Sequence, residues 1–317
     1  VNDLFAPLLG AGFYYKTFMW PAAFWERVYE PAIRRAAGLG SFTRAPDPHR
    51  HEKAFASCDL LVIGAGPAGL MAALAAGEAG ADVILAEEGA EVGGRLLSEA
   101  EEVGGRPAHD WVAATMARLA AMPNVRIMTR TAVTGAYDGG TFGALERVTE
   151  HLAHPAPGAP HDCFWRIDSR AAVLAAGALE RPVAFPGNDR PGVMMASALR
   201  AYLHRWGVVP GKRVALFAAN DNARRTARDL AAAGVQIAAV IDPRTDAPPP
   251  GGIDAPYFAG GQVVGTSGRQ GLTAVRVASG GRERRIAADV LAMSGGWNPT
   301  VHLACHMGGR PEWDEGR

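Results

Sequence analysis

The sequence predicts an α/β protein with two successive strand–helix–strand units, the second inserted into the domain that the first begins. Three observations lead to this fold class. An apolar run at residues 60–63 is followed at once by a glycine-rich turn and an Ala/Leu-rich stretch. The same pattern of strand, helix and strand recurs after residue 212. Two further apolar runs, at 171–177 and 289–293, predict the return strands that complete two separate sheets.

The first unit extends from residue 59 to residue 88. Its opening run, residues 60–63, reads Leu-Leu-Val-Ile and predicts a strand buried on both faces of a parallel sheet. Residues 67–79 predict a helix because Ala, Leu and Met dominate them, and Gly80 predicts its C-terminal cap. Residues 82–86 predict the second strand of a βαβ unit.

Gly64, Gly66 and Gly69 stand between the first strand and the helix in Gly-x-Gly-x-x-Gly spacing. Gly64 permits a tight turn, Gly66 lets a pyrophosphate approach the backbone, and Gly69 lets the helix pack closely on the strand. The N-terminus of the helix then offers unpaired N–H groups and the positive end of its dipole to the phosphates. This is the fingerprint of a Rossmann-type dinucleotide site, and the alternative is a glycine-rich turn without a ligand.

Glu87 follows the second strand, 23 positions after Gly64. A carboxylate at this distance accepts hydrogen bonds from the adenosine ribose and repels a 2′-phosphate, which favours NAD over NADP. NAD and FAD share the fingerprint, so the spacing leaves both open. The candidate cofactor ligands are Gly64, Gly66, Pro67, Ala68, Gly69, Glu87, Glu88, Gly94 and Arg95.

Gly94 and Arg95 belong to a second glycine turn, just after the second strand. Two interpretations of Arg95 remain open: it neutralises a pyrophosphate, or it is a solvated turn side chain.

The second unit comprises a strand at 213–217, a helix at 221–233 and a strand at 236–241 that leads into Asp242. Its turn, residues 218–223, reads Ala-Ala-Asn-Asp-Asn-Ala and has no glycine at the three fingerprint positions. Side chains there obstruct a close pyrophosphate, so we expect ordinary dinucleotide binding to be lost. Arginines on this helix, such as Arg224, are expected to be solvated, although they could attract an anion.

Two dinucleotide-binding domains of this kind are typical of flavoproteins, and we predict that fold. The expected divisions are an aromatic-rich arm, helix and linker at 1–56, the first dinucleotide-binding domain at 57–187, a second, degenerate domain at 188–297, and the start of a return to the first domain at 298–317. Within the first division we expect the arm at 1–20, the helix at 22–37 with a kink at Pro31, and the linker at 44–52. In the first domain, residues 131–137, 145–150 and 163–168 predict antiparallel strands.

Composition excludes several classes of function. Acidic and basic residues balance at 32 each, which gives no basic face for nucleic acid. Apolar runs are too short to cross a membrane, and the N-terminus does not resemble a signal peptide. We therefore expect a cytoplasmic protein. The chain begins without Met and ends at Arg317 without a closing element, so we expect a fragment of a longer protein.

The residues predict neither a metal centre nor a catalytic group in this chain. Its three cysteines are far apart and form no C-x-x-C pair. His49 and His51, and also His302 and His306, form close pairs in sequence without a third ligand nearby. The sequence also lacks a recognisable Ser/His/Asp set and a pair of carboxylates suited to acid–base chemistry.

Five stretches resemble one family. They read GAGFYYKTFMWP at 10–21, FWERVYEPAIRRAAGLG at 24–40, GAGPAGL at 64–70, ERPVAFPGNDRPGVM at 180–194 and MSGGWNPTVHL at 293–303. Together they resemble the α subunit of heterotetrameric sarcosine oxidase, over essentially the whole chain. The corresponding subunits of N-methylglutamate and opine dehydrogenases are similar.

The resemblance implies a complex of α, β, γ and δ subunits that oxidises sarcosine to glycine, forms hydrogen peroxide and transfers the one-carbon unit to tetrahydrofolate. It places NAD in the α subunit, FMN at the α/β interface, FAD in the β subunit, and tetrahydrofolate on a C-terminal domain absent here. Two alternatives remain: a self-sufficient FAD- and NAD-dependent reductase, and a structural subunit whose nucleotide only aids folding.

Overall fold

The structure is a computed structural model that describes residues 18, 20–38, 40 and 43–313. The chain divides into two compact units, one of which ends at His49 while the other begins at Arg50. Apart from two positions, the aromatic arm expected over residues 1–20 lies outside the described residues.

The smaller unit contains the helix that the sequence predicts at 22–37, in an irregular form. A 3₁₀ turn (Ala22–Phe24) and a π-helical turn (Trp25–Tyr29) lead into helix α1 (Glu30–Ala36). The N–H of Glu30 donates to the carbonyl of Trp25, five residues back. Pro31 has no N–H to donate, so the widened turn lies where the sequence predicts a kink.

The larger unit begins with a six-stranded sheet in the order β5-β2-β1-β8-β7-β6. Strand β1 pairs in parallel with β2 and with β8, and β2 pairs in parallel with β5. Strand β7 pairs antiparallel with β8 and with β6. The elements of this first half are β1 (His51–Ile63), α2 (Pro67–Glu78), β2 (Val83–Ala86), β3 (Glu102–Val103), β4 (Arg106–Pro107), α3 (Ala108–Ala120), β5 (Val125–Met128), β6 (Thr131–Tyr137), β7 (Thr141–Arg147), β8 (Asp162–Leu174) and β9 (Ala178–Glu180).

A second, five-stranded parallel sheet has the order β10-β17-β11-β12-β13, and a three-stranded antiparallel sheet, β14-β15-β16, follows it in sequence. The remaining elements are β10 (Val193–Met195), α4 (Ala196–Trp206), β11 (Arg213–Ala218), α5 (Asn222–Ala232), β12 (Gln236–Asp242), β13 (Tyr257–Ala259), β14 (Gln262–Ser267), β15 (Ala274–Ser279), β16 (Arg282–Ala287), β17 (Val290–Ser294), β18 (Trp297–Pro299) and α6 (His302–His306). The predicted α/β fold with two βαβ units is confirmed.

Strand β1 is much longer than its predicted core at 60–63. Its first half pairs in parallel with β8 from His51 onward, and its residues alternate between exposed and half-buried. The charge and the His and Pro content of residues 44–52 predicted a linker there, but its last two residues, 51 and 52, belong to β1. The expected boundary between residues 56 and 57 falls inside this strand.

Strand β8 joins two segments that the sequence separated, at 163–168 and 171–177. Its whole length pairs with β1, and its first half also pairs antiparallel with β7. Strand β7 begins at Thr141 rather than at 145. Both errors have one cause. Apolar and polar residues alternate only weakly in β7 and β8, so pairing with the neighbouring strands sets where these strands begin and end.

Each sheet has its own apolar core. Leu61, Leu85 and Leu119 are fully buried in the first half, and Leu216 and Ile241 are fully buried in the second. The two halves therefore each contribute packing that holds a strand–turn–helix corner in place.

Candidate dinucleotide-binding site

The glycine turn lies at the carboxyl edge of the first parallel sheet, where β1 ends and α2 begins. The N–H of Gly64 donates to the carbonyl of Ala86 at 2.8 Å, and the N–H of Ala175 donates to the carbonyl of Ile63 at 2.8 Å. These bonds extend the sheet to its last residue on both sides of β1. Ligands of open parallel sheets bind at this edge.

Two of the three glycines are required by the fold itself. Gly64 has φ +97°, and a Cβ there would lie 2.5 Å from the carbonyl oxygen of Ala175. A Cβ on Gly69 would lie 1.8 Å from the carbonyl oxygen of Gly64, because the helix crosses directly over the turn. Both positions exclude a side chain whether or not a ligand binds.

Gly66 differs from the other two glycines. Its backbone has φ −69° and ψ −178°, which any residue adopts, and the nearest atom to a built Cβ is the Cα of Gly94 at 4.0 Å. The fold therefore leaves open the space that a side chain on Gly66 would occupy. A glycine that the packing does not demand is consistent with close approach of a ligand to the backbone.

The second turn touches the first backbone to backbone. The N–H of Gly93 donates to the carbonyl of Ala65 at 2.8 Å. Gly94 has φ +53°, and a Cβ there would lie 2.9 Å from the Cα of Gly66. The two glycine turns thus form one continuous backbone surface at the start of α2.

Helix α2 begins at Pro67, with Gly66 as its N-cap. Neither position supplies a side-chain cap, and among the described residues the first turn contains no acidic side chain. The N–H of Leu70 donates to the carbonyl of Gly66 at 2.9 Å, whereas those of Ala68 and Gly69 precede the first helical hydrogen bond. These donors and the dipole make this terminus suited to an anion.

Glu87 reaches the glycine turn from the end of β2. Its Oε2 accepts the N–H of Ala65 at 2.7 Å, and its Oε1 accepts the N–H of Gly89 at 2.8 Å. Each carboxylate oxygen has capacity for a further hydrogen bond. Glu88 is exposed, and its carbonyl accepts a hydrogen bond from Arg147 at 2.8 Å. Of the two predicted glutamates, the structure brings Glu87 to the turn.

Arg95 contacts the second half of the larger unit. Its guanidinium lies 4.3 Å from the ring centroid of Trp297, donates to Oδ1 of Asn222 at 3.1 Å and pairs with Glu99. These residues and Gly94 line a cavity of about 270 Å³. The Arg95 side chain is nevertheless 45% exposed, so both interpretations stay open, and its role toward a pyrophosphate stays a prediction.

The second βαβ corner is closed by its own side chains. Asp242, at the end of β12, is fully buried and accepts hydrogen bonds from Arg224 at 2.7 Å and from Arg244 at 2.9 Å. Burial by itself raises the pKa of Asp242, but the hydrogen bonds from Arg244 and Arg224 outweigh it and hold the pKa below its ordinary value. Asn220 caps α5 by accepting the N–H of Ala223 at 3.0 Å.

Arg224 is 5% exposed, so the expectation that it is solvated was wrong. It also donates to the carbonyl of Pro248 at 2.7 Å. The acid that corresponds in position to Glu87 is thus neutralised within the protein. This arrangement supports the expectation that the second corner does not bind a dinucleotide in the ordinary way.

Sequence reasoning missed one cluster of metal-ligating side chains. His51 has no third ligand near it in sequence, but the fold brings it to His161 and Asp162, with one ligand atom of each within 4.8 Å of the others. No local sequence pattern could indicate this cluster, because His161 and Asp162 lie about 110 positions away from His51. Within residues 43–313, His302 and His306 gain no such third partner.

The cysteines do not form a redox pair in the described part of the chain. Cys58 and Cys163 are buried, Cys305 is exposed, and all three are free thiols. Burial raises the pKa of both Cys58 and Cys163, which lowers the fraction of reactive thiolate. Among helices of the described residues, none has the length and apolar character needed to cross a bilayer.

Comparison with known proteins identifies the nucleotide-binding region. Residues 62–131 match the model of the NAD(P)-binding Rossmann-like domain. Solved structures share the fold, including L-proline dehydrogenase from P. horikoshii (23% identity, TM-score 0.61, 83% of this chain and 47% of that chain). Another is thioredoxin reductase from Lactococcus lactis (16% identity, TM-score 0.58, 79% and 81%).

Sequence relatives are more specific. The alpha subunit of sarcosine oxidase from Rhizobium meliloti is 52% identical over 99% of this chain, and that from Corynebacterium sp. strain P-1 is 41% identical over 87%. One of the opine oxidase subunits of Agrobacterium tumefaciens is 29% identical over 81% of this chain and 56% of its own length. The chain spans 32% and 30% of the length of the two sarcosine oxidase relatives. The resemblance that the sequence motifs predicted is thus confirmed: the chain is similar to sarcosine oxidase α subunits over about a third of their length.

Proposed function

We propose that this chain is the nucleotide-holding part of an α subunit of the sarcosine oxidase type, with NAD bound at the first glycine turn. The observation that carries the proposal is the pairing of Glu87 with the N–H of Ala65 at 2.7 Å, beside a glycine, Gly66, whose Cβ position is free. A ribose-binding carboxylate and an approachable backbone thereby meet at one helix N-terminus.

The residues fit a dinucleotide in two parts. The N–H groups of Ala68 and Gly69 and the bare backbone of Gly66 and Gly94 suit the pyrophosphate. Glu87 holds the shape of the turn and keeps lone pairs for the ribose hydroxyls. Its negative charge opposes a 2′-phosphate, which favours NAD over NADP. NAD supplies hydride-transfer chemistry when bound, and the role of this chain is to orient it.

Two observations favour a component of a larger complex over a self-sufficient FAD- and NAD-dependent reductase. Such a reductase uses both βαβ corners, but the second corner here is closed by the ion pair between Arg224 and Asp242. The described cysteines are also free and provide no dithiol. FAD at the first turn remains the alternative occupant, because Glu87 serves either ribose.

The activity of the whole protein follows from its relatives and is part of the proposal. We expect a complex with β, γ and δ subunits that oxidises sarcosine, with FAD and FMN outside this chain and tetrahydrofolate on another domain. The opine oxidase relative supports an opine substrate as the second candidate. N-methylglutamate is a further candidate because the sequence motifs also resemble subunits of N-methylglutamate dehydrogenases. The catalytic step then lies on a partner subunit, which agrees with the lack of a predicted catalytic set in this sequence.

The test is to identify the nucleotide that the assembled protein releases. The complete α subunit is purified with its partners and denatured, and the supernatant is analysed by chromatography with absorbance detection. NAD in a one-to-one ratio to the α subunit is the expected result. FAD released from the isolated α subunit, without NAD, would overturn the proposed occupant in favour of the flavoprotein alternative.

Substrate and redox role need a second measurement on the same complex. Oxygen consumption with sarcosine, N-methylglutamate and an opine identifies the substrate class. The absorbance of the bound nucleotide at about 340 nm during turnover reports whether it is reduced. A nucleotide that is never reduced would favour the structural subunit over one in which NAD takes part in the reaction.

A further inference from the structure

A separate group of polar side chains lies at the far end of β1 from the glycine turn. His51 is the first residue of this strand, roughly 40 Å from Ile63 at about 3.3 Å per residue. Its Nδ1 lies 2.9 Å from Oδ1 and 2.9 Å from Oδ2 of Asp162. Nδ1 of His161 lies 3.4 Å from Oδ2 of the same carboxylate. The dinucleotide site does not use any of these three side chains.

The backbone around this group is held by sheet hydrogen bonds. His51 and Asp162 are partners in the first rung of the parallel β1–β8 ladder, so their side chains lie on the same face. The N–H of His161 donates to the carbonyl of Arg50 at 2.7 Å, and its carbonyl accepts the N–H groups of Val148 and Thr149 at 3.0 Å each. Side chains from two distant parts of the sequence are thus fixed at the start of the β1–β8 ladder by backbone hydrogen bonds.

The charges also suit a cation. Asp162 supplies a negatively charged carboxylate, whose Oδ2 lies 2.9 Å from Nδ1 of His51 and 3.4 Å from Nδ1 of His161. The nearby guanidinium of Arg50 pairs with Glu52 and donates to the carbonyl of Gly158 at 2.8 Å. The positive charge next to the group is therefore already neutralised by another carboxylate.

We propose that His51, His161 and Asp162 form a binding site for a divalent transition metal ion of the Zn²⁺ type. Two imidazoles and one carboxylate are the ligands that Zn²⁺ prefers where thiolates are absent. Bonds of about 2.0 Å in tetrahedral geometry place neighbouring ligand atoms about 3.3 Å apart. The observed separations of 2.9 Å and 3.4 Å lie close to this value.

Exposure leaves a place for a fourth ligand. The side chains of His51, His161 and Asp162 are 48%, 28% and 24% exposed, so a water molecule completes a tetrahedron without rearrangement of the core. The ion joins residues about 110 positions apart at the start of the parallel pairing between β1 and β8. We therefore expect bound metal to stabilise the β1–β8 pairing at its open end.

The experiment is a zinc titration of the purified full chain by calorimetry after EDTA treatment and dialysis. The expected result is one saturable site, and the substitutions His51→Gln, His161→Gln and Asp162→Asn each weaken Zn²⁺ binding at least about tenfold. His154→Gln is the matched control in the same β7–β8 connection, and His302→Gln tests the pair on α6. Both controls are expected to keep the affinity of the unchanged protein.

A second measurement needs no substitution. X-ray absorption of the one-to-one zinc complex of the unchanged chain is expected to show two imidazole ligands and oxygen donors, without sulfur. A chain without a saturable site overturns the proposal, and so does a spectrum with fewer than two imidazoles. Equal affinity in Asp162→Asn and the unchanged protein overturns it as well.

Discussion

The substitution Gly66→Ala separates ligand binding from folding at the glycine turn. The fold gives Gly66 an ordinary φ of −69° and no atom closer than 4.0 Å to a new Cβ. A methyl group there enters the space that we assign to the pyrophosphate. Gly69→Ala is the contrasting variant, because its Cβ would lie 1.8 Å from the carbonyl oxygen of Gly64.

The expected magnitudes follow from these distances. Alanine is a poorer N-cap than glycine but restricts the unfolded chain, and the two effects offset each other to within about 1 kcal/mol for Gly66→Ala. Displacing the pyrophosphate by a methyl group removes at least one charge-assisted hydrogen bond, about 1.5–3 kcal/mol, which corresponds to roughly 10–150-fold in affinity. The larger Gly66→Val is expected to abolish nucleotide binding in a folded chain.

Gly69→Ala is expected to act through stability instead. Relief of a 1.8 Å overlap requires the helix to move away from the strand, which costs about 3 kcal/mol or more in the free energy of unfolding. Nucleotide binding is then expected to weaken only as a consequence of this displacement and loss of stability. Gly66→Ala is thus expected to lower nucleotide affinity with little change in stability, whereas Gly69→Ala is expected to lower stability first, although the two positions are only three residues apart.

The assay combines thermal unfolding with NAD titration of each variant. For Gly66→Ala we expect a melting temperature within about 4 °C of the unchanged protein and a strongly reduced NAD affinity. Unchanged nucleotide content or affinity in this variant would refute the assignment of the pyrophosphate to Gly66. An unchanged melting temperature for Gly69→Ala would refute the packing argument.

Three further predictions concern charged side chains. Glu87→Gln is expected to reduce the preference for NAD over NADP measured by titration, because the charge that opposes a 2′-phosphate is gone. Asp242→Asn leaves the buried guanidinium of Arg224 without its counter-charge and is expected to lower the free energy of unfolding in urea by about 3–5 kcal/mol. Because the pKa of Asp242 is lowered in the folded state, its stabilisation is complete above pH about 3.9 and is lost as the pH falls through the folded pKa. Arg200→Met, at a side chain 5% exposed and paired with three acids, is expected to cost about 3 kcal/mol in the same assay, against less than about 1 kcal/mol for the more exposed Arg205→Met.

Each of these has a matched control and a contradicting outcome. Glu88→Gln, at the exposed neighbour, is expected to leave nucleotide preference unchanged, and equal affinity of the unchanged protein for NAD and NADP contradicts the role of Glu87. Asp246→Asn is the exposed control for Asp242. An equal loss of stability at acid pH in Asp242→Asn and in the unchanged protein contradicts the pH-dependent contribution of the Asp242 carboxylate. Equal costs for the two arginine substitutions contradict the importance of burial.

The sequence determined the first βαβ unit and the nature of its site. The strand at 60–63, the helix that begins at Pro67 and the glycine spacing are local features, set by residues within a few positions of each other. The structure places Glu87 beside the turn, as expected from its distance along the chain. The five quoted stretches also indicated the similarity to sarcosine oxidase α subunits from the sequence alone.

Only the tertiary structure decided which side chains meet across the sheets. Residues 51–59 form a strand because β8 pairs with them, although they have no apolar run of their own. Burial of Arg224 and the contacts of Arg95 follow from the packing of the second half against its own strands and against the first turn. The group of His51, His161 and Asp162 exists because strand register joins residues about 110 positions apart, and a local pattern carries no information about register between strands so distant in sequence.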